Sequence, residues 1–171
     1  MNSTRQTSKD YFKSIQIIYY ALIAGQVFFG LVTYIFSTME NFESGGKELR
    51  DIFIYIVPVF AVGGFIGSFL IYKNRLQLAK NKPDLVDIMA DYRSALIVRY
   101  ALLEGPSFLS IAVYFLTGDI IFLVFSGIII LYFFAIKPNA EKAAIELNLN
   151  PSQKNSINDP DKIIAQFKSM N

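Results

Sequence analysis

Glu104 is the only acidic or basic side chain that lies well inside one of the four long apolar runs of this sequence. An ionised carboxylate in hydrocarbon costs several kcal/mol unless it is paired, hydrated or protonated. Two kinds of chemistry follow from that cost. Glu104 could bind and release a proton or cation, or it could accept hydrogen bonds that fix the register of neighbouring helices.

The sequence offers few partners for this carboxylate. Arg99 lies five residues earlier, about one and a half helical turns away, and would reach it only loosely along one helix. The uncharged polar side chains at similar depth are Gln26, Tyr20 and Tyr100. Ion handling, a fixed polar network and a contact with a partner subunit all remain open for Glu104.

Four apolar runs predict the elements that carry these residues. They cover about 15–37, 52–72, 95–117 and 120–136. At about 1.5 Å per helical residue, each run is long enough to cross roughly 30 Å of hydrocarbon, the last one only just. The first is too long to be a cleaved signal. The sequence therefore predicts an all-α polytopic membrane protein with four transmembrane helices.

The distribution of charge predicts the orientation. All but two of the 16 Lys and Arg residues precede the first run, separate the second from the third, or follow the fourth. The exceptions, Lys47 and Arg50, lie in the first loop among Glu40, Glu43, Glu48 and Asp51. Because basic residues stay in the cytoplasm, both termini are predicted to be cytoplasmic. The net charge of +2 is too small to indicate nucleic-acid binding.

An internal repeat relates the first and third runs. Residues 14–36 and 94–116 share eight identities in 23 positions, and Ala24 stands where the second copy has Glu104. This predicts two tandem hairpins in parallel orientation, repeat 1 at about 11–73 and repeat 2 at about 91–137. Together they form a transmembrane domain of residues 1–137, followed by a short cytoplasmic tail, 138–171.

Small residues and prolines predict how the helices pack. Small residues four apart allow close approach of helix backbones in lipid. The predicted helix-packing positions are Ala21, Gly25, Ala101, Gly105, Gly63 and Gly67. The shared Ala-x-x-x-Gly motif would bring the first and third spans together. Pro58 and Pro106 each remove an amide donor and are predicted to kink their helices.

Two regions outside the spans also have helical patterns. The apolar positions Leu85, Ile88, Met89, Tyr92 and Leu96 predict a cytoplasmic helical extension that begins near Pro83 and Asp84 and continues into span three. In the tail, the pattern predicts a short helix around Ala140 to Leu147 and a break at Asn150 and Pro151. A terminal helix is predicted from Asp159 and Pro160, with one side formed by Ile163, Ile164 and Phe167.

Composition and motifs argue against enzymatic chemistry. The chain has no Cys and no His, so thiolate chemistry and the usual zinc and haem ligands are excluded. Phosphate-binding, dinucleotide-binding, HExxH and GxSxG motifs are also missing from the sequence. We therefore expect no catalytic residues, no cofactor and no metal.

Two stretches of the sequence, RSALIVRYALLEGPSF and IVPVFAVGG, are similar to stretches of a known group of proteins. The chain resembles a group of small, uncharacterised four-span proteins of the inner membrane of flavobacterium-like Gram-negative bacteria, over nearly its whole length. The resemblance implies an inner-membrane location and no particular activity. More weakly, the chain is similar to the duplicated-hairpin proteolipids of rotary ATPases, although their carboxylate belongs to the second helix of a hairpin.

The sequence thus favours a non-enzymatic integral membrane protein that serves as a structural or accessory subunit. Its expected partners are the lipid bilayer and either a second copy of the chain or another membrane protein. The alternative function is a small proton- or cation-coupled transporter or channel in which Glu104 titrates.

Overall fold

The computed structural model describes residues 3–39 and 46–168, and within them the chain is predominantly helical. Its elements in chain order are β1 (Ser3–Thr7), α1 (Ser8–Ser37), α2 (Gly46–Lys80), α3 (Leu85–Thr117), α4 (Ile121–Ala135), α5 (Ala140–Glu146), α6 (Pro151–Asn158) and β2 (Ile163–Lys168). Glu40 and Glu43, which entered the charge argument, lie outside the described residues.

Three helices, α1, α2 and α3, are long and apolar enough to cross a membrane. The 15 residues of α4 extend about 22 Å and reach the required length only together with α5, from which α4 is separated by a bend of 87°. The chain is therefore a multi-pass membrane protein with three such helices, or four if the bent pair counts as one span. The predicted continuity of the extension with span three is confirmed, because α3 runs from Leu85 to Thr117 without a break.

The chain divides into two compact units. The apolar unit contains residues 20–39, 46–69 and 100–136 of the described chain, and the polar unit contains residues 3–19, 70–99 and 137–168. All fourteen basic residues that were predicted to be cytoplasmic belong to segments of the polar unit. The segments that are rich in basic residues are therefore the same segments that fold together as the polar unit.

The apolar unit combines buried clusters with a large apolar surface. Val57, Val113, Tyr114 and Phe122 are buried together. On α2, by contrast, large apolar side chains point outward, and Tyr55 is 75% exposed. Such a surface is unfavourable in water but matches a lipid environment, where apolar side chains need no cover.

The backbone of α2 comes close to α3 at Gly64. A methyl group added there would lie 2.6 Å from the Leu102 carbonyl oxygen and 2.6 Å from Cγ of Pro106. Added methyl groups on Gly63, Gly67 and Gly105 would meet no atom of the described residues within 4 Å. Close packing against α3 therefore occurs at Gly64, next to the predicted Gly63.

The two Ala-x-x-x-Gly motifs have exposed alanines. Ala21 and Ala101 are both exposed, and Gly25 faces the ring of Phe108, 4.0 Å from an added methyl group. Repeat-related tyrosines also differ, since Tyr20 is 47% exposed whereas Tyr100 is fully buried. The repeat in the sequence therefore does not give its two copies equivalent environments.

Pro58 and Pro106 both lie inside helices that continue past them. The hydroxyl of Ser110 donates to the Pro106 carbonyl oxygen at 2.8 Å, a local bond of the kind common in membrane helices. Neither proline ends its helix. The predicted bend at each remains a prediction.

The predicted terminal helix is wrong. Residues Ile163–Lys168 form strand β2, which pairs antiparallel with β1, from Ser3 opposite Lys168 to Thr7 opposite Ile163, with an irregularity between Gln6 and Thr7. Adjacent β-branched residues favour an extended chain, and pairing with β1 supplies the backbone partners. Asp159 follows the end of α6 and does not begin a helix. The side chain of Phe167 lies outside the described residues.

The break predicted at Asn150 and Pro151 is the start of a helix. The Asn150 side chain accepts from the Gln153 amide at 2.9 Å, the Gln153 side chain accepts from the Asn150 amide at 3.1 Å, and Pro151 opens α6. This reciprocal pair is a capping box. The short helix expected near residue 140 is present as α5.

Candidate functional site

Glu104 lies on a face of α3 that is partly open. Ala101 and Gly105, three residues before it and one after it, are exposed, and Glu104 itself is partly buried. Within residues 3–39 and 46–168, its carboxylate makes no hydrogen bond or ion pair. An apolar helix thus presents one carboxylate beside two small residues, with no donor from the described chain.

A groove runs beside this face, between α2 and α3. It has a volume of about 340 Å³, and Gly63 and Gly64 form its α2 side while Ala101, Leu102 and Gly105 form its α3 side. Gly63, Gly64, Ala101 and Gly105 carry at most one methyl group, so another helix could approach the backbone closely at these four positions.

Gln26, the first predicted partner of Glu104, is fully buried on α1. Its amide nitrogen donates to the Leu22 carbonyl oxygen of the same helix at 3.2 Å. Its side-chain oxygen has no hydrogen-bond partner in the described part of the chain. Since buried polar atoms are almost always satisfied, this oxygen marks a second place where a donor is missing.

The two predicted tyrosines differ in their surroundings. Tyr100 is buried in the apolar unit with its ring 5.8 Å from that of Phe133, whereas Tyr20 is half exposed. An aromatic ring that is half exposed on a helix long enough to cross a membrane can lie against lipid.

Arg99 belongs to the polar unit. Its side chain is buried, and its guanidinium carbon lies 4.4 Å above the centre of the Tyr72 ring, a cation–π contact. Arg99 was predicted as a loose partner of Glu104. The structure gives it an aromatic partner on α2.

Tyr72 also belongs to a polar cluster that was not predicted from the sequence. The hydroxyls of Tyr72 and Tyr92 donate to the same carboxylate oxygen of Glu146, at 2.7 and 3.1 Å. We call Tyr72, Tyr92, Glu146 and Arg99 the tyrosine cluster. It joins α2, α3 and α5 within the polar unit. No sequence signal points to it, since its members are up to 74 positions apart.

Further hydrogen bonds attach α1 to the rest of the polar unit. The Tyr11 hydroxyl donates to the Met89 carbonyl oxygen at 2.5 Å, and the Gln16 amide donates to the Pro138 carbonyl oxygen at 3.0 Å. The Ser8 hydroxyl donates to the carbonyl oxygen of Ile157. Together with the pairing of β1 and β2, these bonds make the C-terminal segment an integral part of the unit and not a loose tail.

In the apolar unit, an ion pair connects the start of α2 with the turn between α3 and α4. The guanidinium of Arg50 donates to Asp119 at 2.5 Å, and the other carboxylate oxygen of Asp119 accepts from the Ile121 amide at 3.1 Å. The backbone hydrogen bond and Arg50 both lower the pKa of Asp119 below its usual range. Asp119 therefore stays ionised at neutral pH.

A second cavity in the apolar unit lies among α2, α3 and α4. It measures about 360 Å³, and we call it the lateral cavity. Its walls include Pro58, Ala61 and Phe65 of α2, Leu103 and Pro106 of α3, and Ile129 of α4. The ring of Phe65 lies 4.8 Å from that of Tyr132, which also lines it.

In the described residues, no three His, Cys, Asp or Glu side chains are grouped so that they could hold a metal ion. Comparison of the chain with family models, with curated proteins and with solved structures gives no match.

Proposed function

We propose that this chain is a non-enzymatic inner-membrane protein that acts as a structural or accessory subunit of a membrane assembly, with both termini in the cytoplasm. The concentration of basic residues in the segments of the polar unit supports this orientation, since basic residues are retained on the cytoplasmic side.

One observation carries the proposal, the unpaired carboxylate of Glu104 beside exposed Ala101 and Gly105. A carboxylate on a membrane helix needs a donor, a cation or a proton. Small residues on the same face let a neighbouring helix approach closely enough to supply that donor. A helix of a second copy of the chain, or of another membrane protein, would satisfy both features at once.

Cysteine-directed cross-linking tests this proposal cleanly, because the chain has no Cys of its own. Ala101→Cys, carrying a thiol-reactive photo-cross-linker, is activated in native membranes. We expect a discrete protein adduct from this position. The matched control is Leu131→Cys on α4, which is 70% exposed and lies on a different helix. Equal yields at the two positions, or lipid adducts alone at both, would count against a partner at the Glu104 face.

A second function has specific support. Gln26 has a buried oxygen without a donor, and Glu104 has a carboxylate without one, both in the apolar unit. Two such acceptors are suited to a proton or a cation, as in a small proton- or cation-coupled transporter or channel. A carbodiimide that modifies protonated carboxyls in apolar surroundings distinguishes the two functions. Labelling of Glu104 that fades as the pH rises favours ion handling, whereas protection of Glu104 in native membranes favours a partner.

A further inference from the structure

The lateral cavity is the feature of the apolar unit that the proposed function leaves unexplained. It lies at the middle of the helices, since its walls come from residues 58–65 of α2 and 125–132 of α4. Its volume of about 360 Å³ falls in the range of sites that hold small molecules.

Water is a poor occupant of this cavity. Every lining side chain is apolar except that of Tyr132, and a buried water needs two to four polar partners. Leaving the cavity empty is also unfavourable, because the side chains that line it would lose their contacts on one side. The walls are therefore suited to an apolar occupant.

The position of the opening identifies the source of that occupant. Val62 and Ile128, which line the cavity, are 58% and 59% exposed, so the cavity opens sideways between α2 and α4. Because α2 is long enough to cross a membrane, a sideways opening at its middle faces the hydrocarbon of the bilayer. The molecules present there are the acyl chains of phospholipids.

The lining also limits which part of a lipid can enter. A polar headgroup remains at the membrane surface, whereas the cavity lies near mid-helix and its lining is hydrocarbon and aromatic. Only the distal part of a chain can reach it. The neighbouring rings of Phe65 and Tyr132 give that chain a broad, rigid wall.

We infer that the lateral cavity is a binding site for one acyl chain of a membrane phospholipid, which enters between α2 and α4 and lies against Phe65, Leu103 and Ile129. This inference does not depend on the accessory-subunit proposal, which concerns the face of α3 that carries Glu104.

Photolabelling in vesicles tests the inference. The full chain is reconstituted in dioleoylphosphatidylethanolamine doped with a phospholipid that carries a diazirine near the terminal methyl group, and adducts are mapped by peptide mass spectrometry. We expect labelling at Phe65, Leu103 and Ile129 to exceed, several-fold, that at Phe28 and Leu31, which are exposed on α1. Uniform labelling of both sets would overturn the inference.

Variants provide the second arm of this experiment. Ala61→Phe places a ring in the cavity and should reduce cavity labelling several-fold, whereas Leu31→Phe on α1 should not. If Ala61→Phe does not fold, Ile128→Trp closes the opening from an exposed position and should have the same effect. Undiminished labelling in a folded cavity variant contradicts the assignment. Stronger displacement of the label by a long-chain isoprenoid alcohol than by unlabelled phospholipid also contradicts it, because the preferred chain would then not be an acyl chain.

Discussion

Glu146 accepts a hydrogen bond from the hydroxyl of Tyr72 at 2.7 Å and thereby connects α5 with α2. A second hydroxyl, that of Tyr92 on α3, shares the same carboxylate oxygen at 3.1 Å. The carboxylate of Glu146 on α5 thus forms hydrogen bonds with both α2 and α3. The C-terminal segment is a part of the folded polar unit, and its loss should affect stability as well as any contact with a partner.

Removal of one hydroxyl of the tyrosine cluster should therefore be measurable. We expect Tyr72→Phe to lower the free energy of unfolding by about 1.5 kcal/mol, because it removes a hydrogen bond to a carboxylate. Thermal unfolding in detergent provides the measurement. Tyr55→Phe is the matched control on the same helix, since Tyr55 is exposed, and should change stability by less than about 0.5 kcal/mol. Equal effects would mean that the hydroxyl of Tyr72 contributes nothing.

Adjacent glycines of α2 should respond in opposite ways to the same substitution. Gly64→Ala forces a methyl group against a carbonyl oxygen and a proline ring, neither of which moves easily, and should destabilise the protein by about 1–3 kcal/mol. Gly63→Ala meets open space and should be neutral or slightly stabilising, because alanine favours the helix. Unfolding of both variants in the same detergent measures the difference. A stable Gly64→Ala variant would show that α2 and α3 are not in close contact there.

The corrected C-terminal strand gives a third prediction. In β2, Ile164 is fully buried while its neighbour Ile163 is 45% exposed. Ile164→Ala should therefore cost about 2–4 kcal/mol and Ile163→Ala about 1 kcal/mol or less. In the helix predicted from the sequence, the two side chains would share one side and cost similar amounts. Thermal unfolding measures the loss of stability in each variant. A much larger loss for Ile164→Ala than for Ile163→Ala indicates a strand, and similar losses indicate a helix.

The ion pair of Arg50 and Asp119 predicts a dependence on pH. Because folding lowers the pKa of Asp119, its contribution to stability is present above the pKa of the unfolded chain and is lost as the pH falls through the lower, folded-state pKa. The difference in stability between wild type and Asp119→Asn should therefore be largest at neutral pH and disappear in acid. Both groups are accessible to solvent, so salt should also reduce it. A difference that is constant with pH would contradict the ion pair.

Several features of the fold could be predicted because they depend on local pattern. Apolar runs gave the long helices, and the periodicity around Ile88 and Met89 gave the extension that continues into α3. Asn150 and Pro151 predict an interruption of the helical pattern, and in the structure they begin α6. Patterns of this kind span a few turns and need no knowledge of the rest of the chain.

The remaining features depend on contacts between distant segments. Strands β1 and β2 lie at opposite ends of the sequence. Each strand provides the hydrogen-bonding partners for the backbone of the other. Likewise, the difference between Gly64 and Gly63 depends on which side of α2 faces α3. Glu104 was identified by its type and depth, but the surroundings that leave it unpaired are a property of the folded chain.

The size of the complex extracted from native membranes tests the accessory-subunit proposal most directly. Wild type, Glu104→Gln, Glu104→Ala and the lipid-facing control Phe28→Ala are solubilised in mild detergent and separated by native electrophoresis. We predict that wild type and Phe28→Ala migrate in a complex larger than one chain. Glu104→Gln should retain part of that complex, because its amide oxygen still accepts a hydrogen bond, and Glu104→Ala should release the single chain. If all four migrate as a single chain, or all four in the same larger complex, Glu104 is not the contact that holds this protein to a partner.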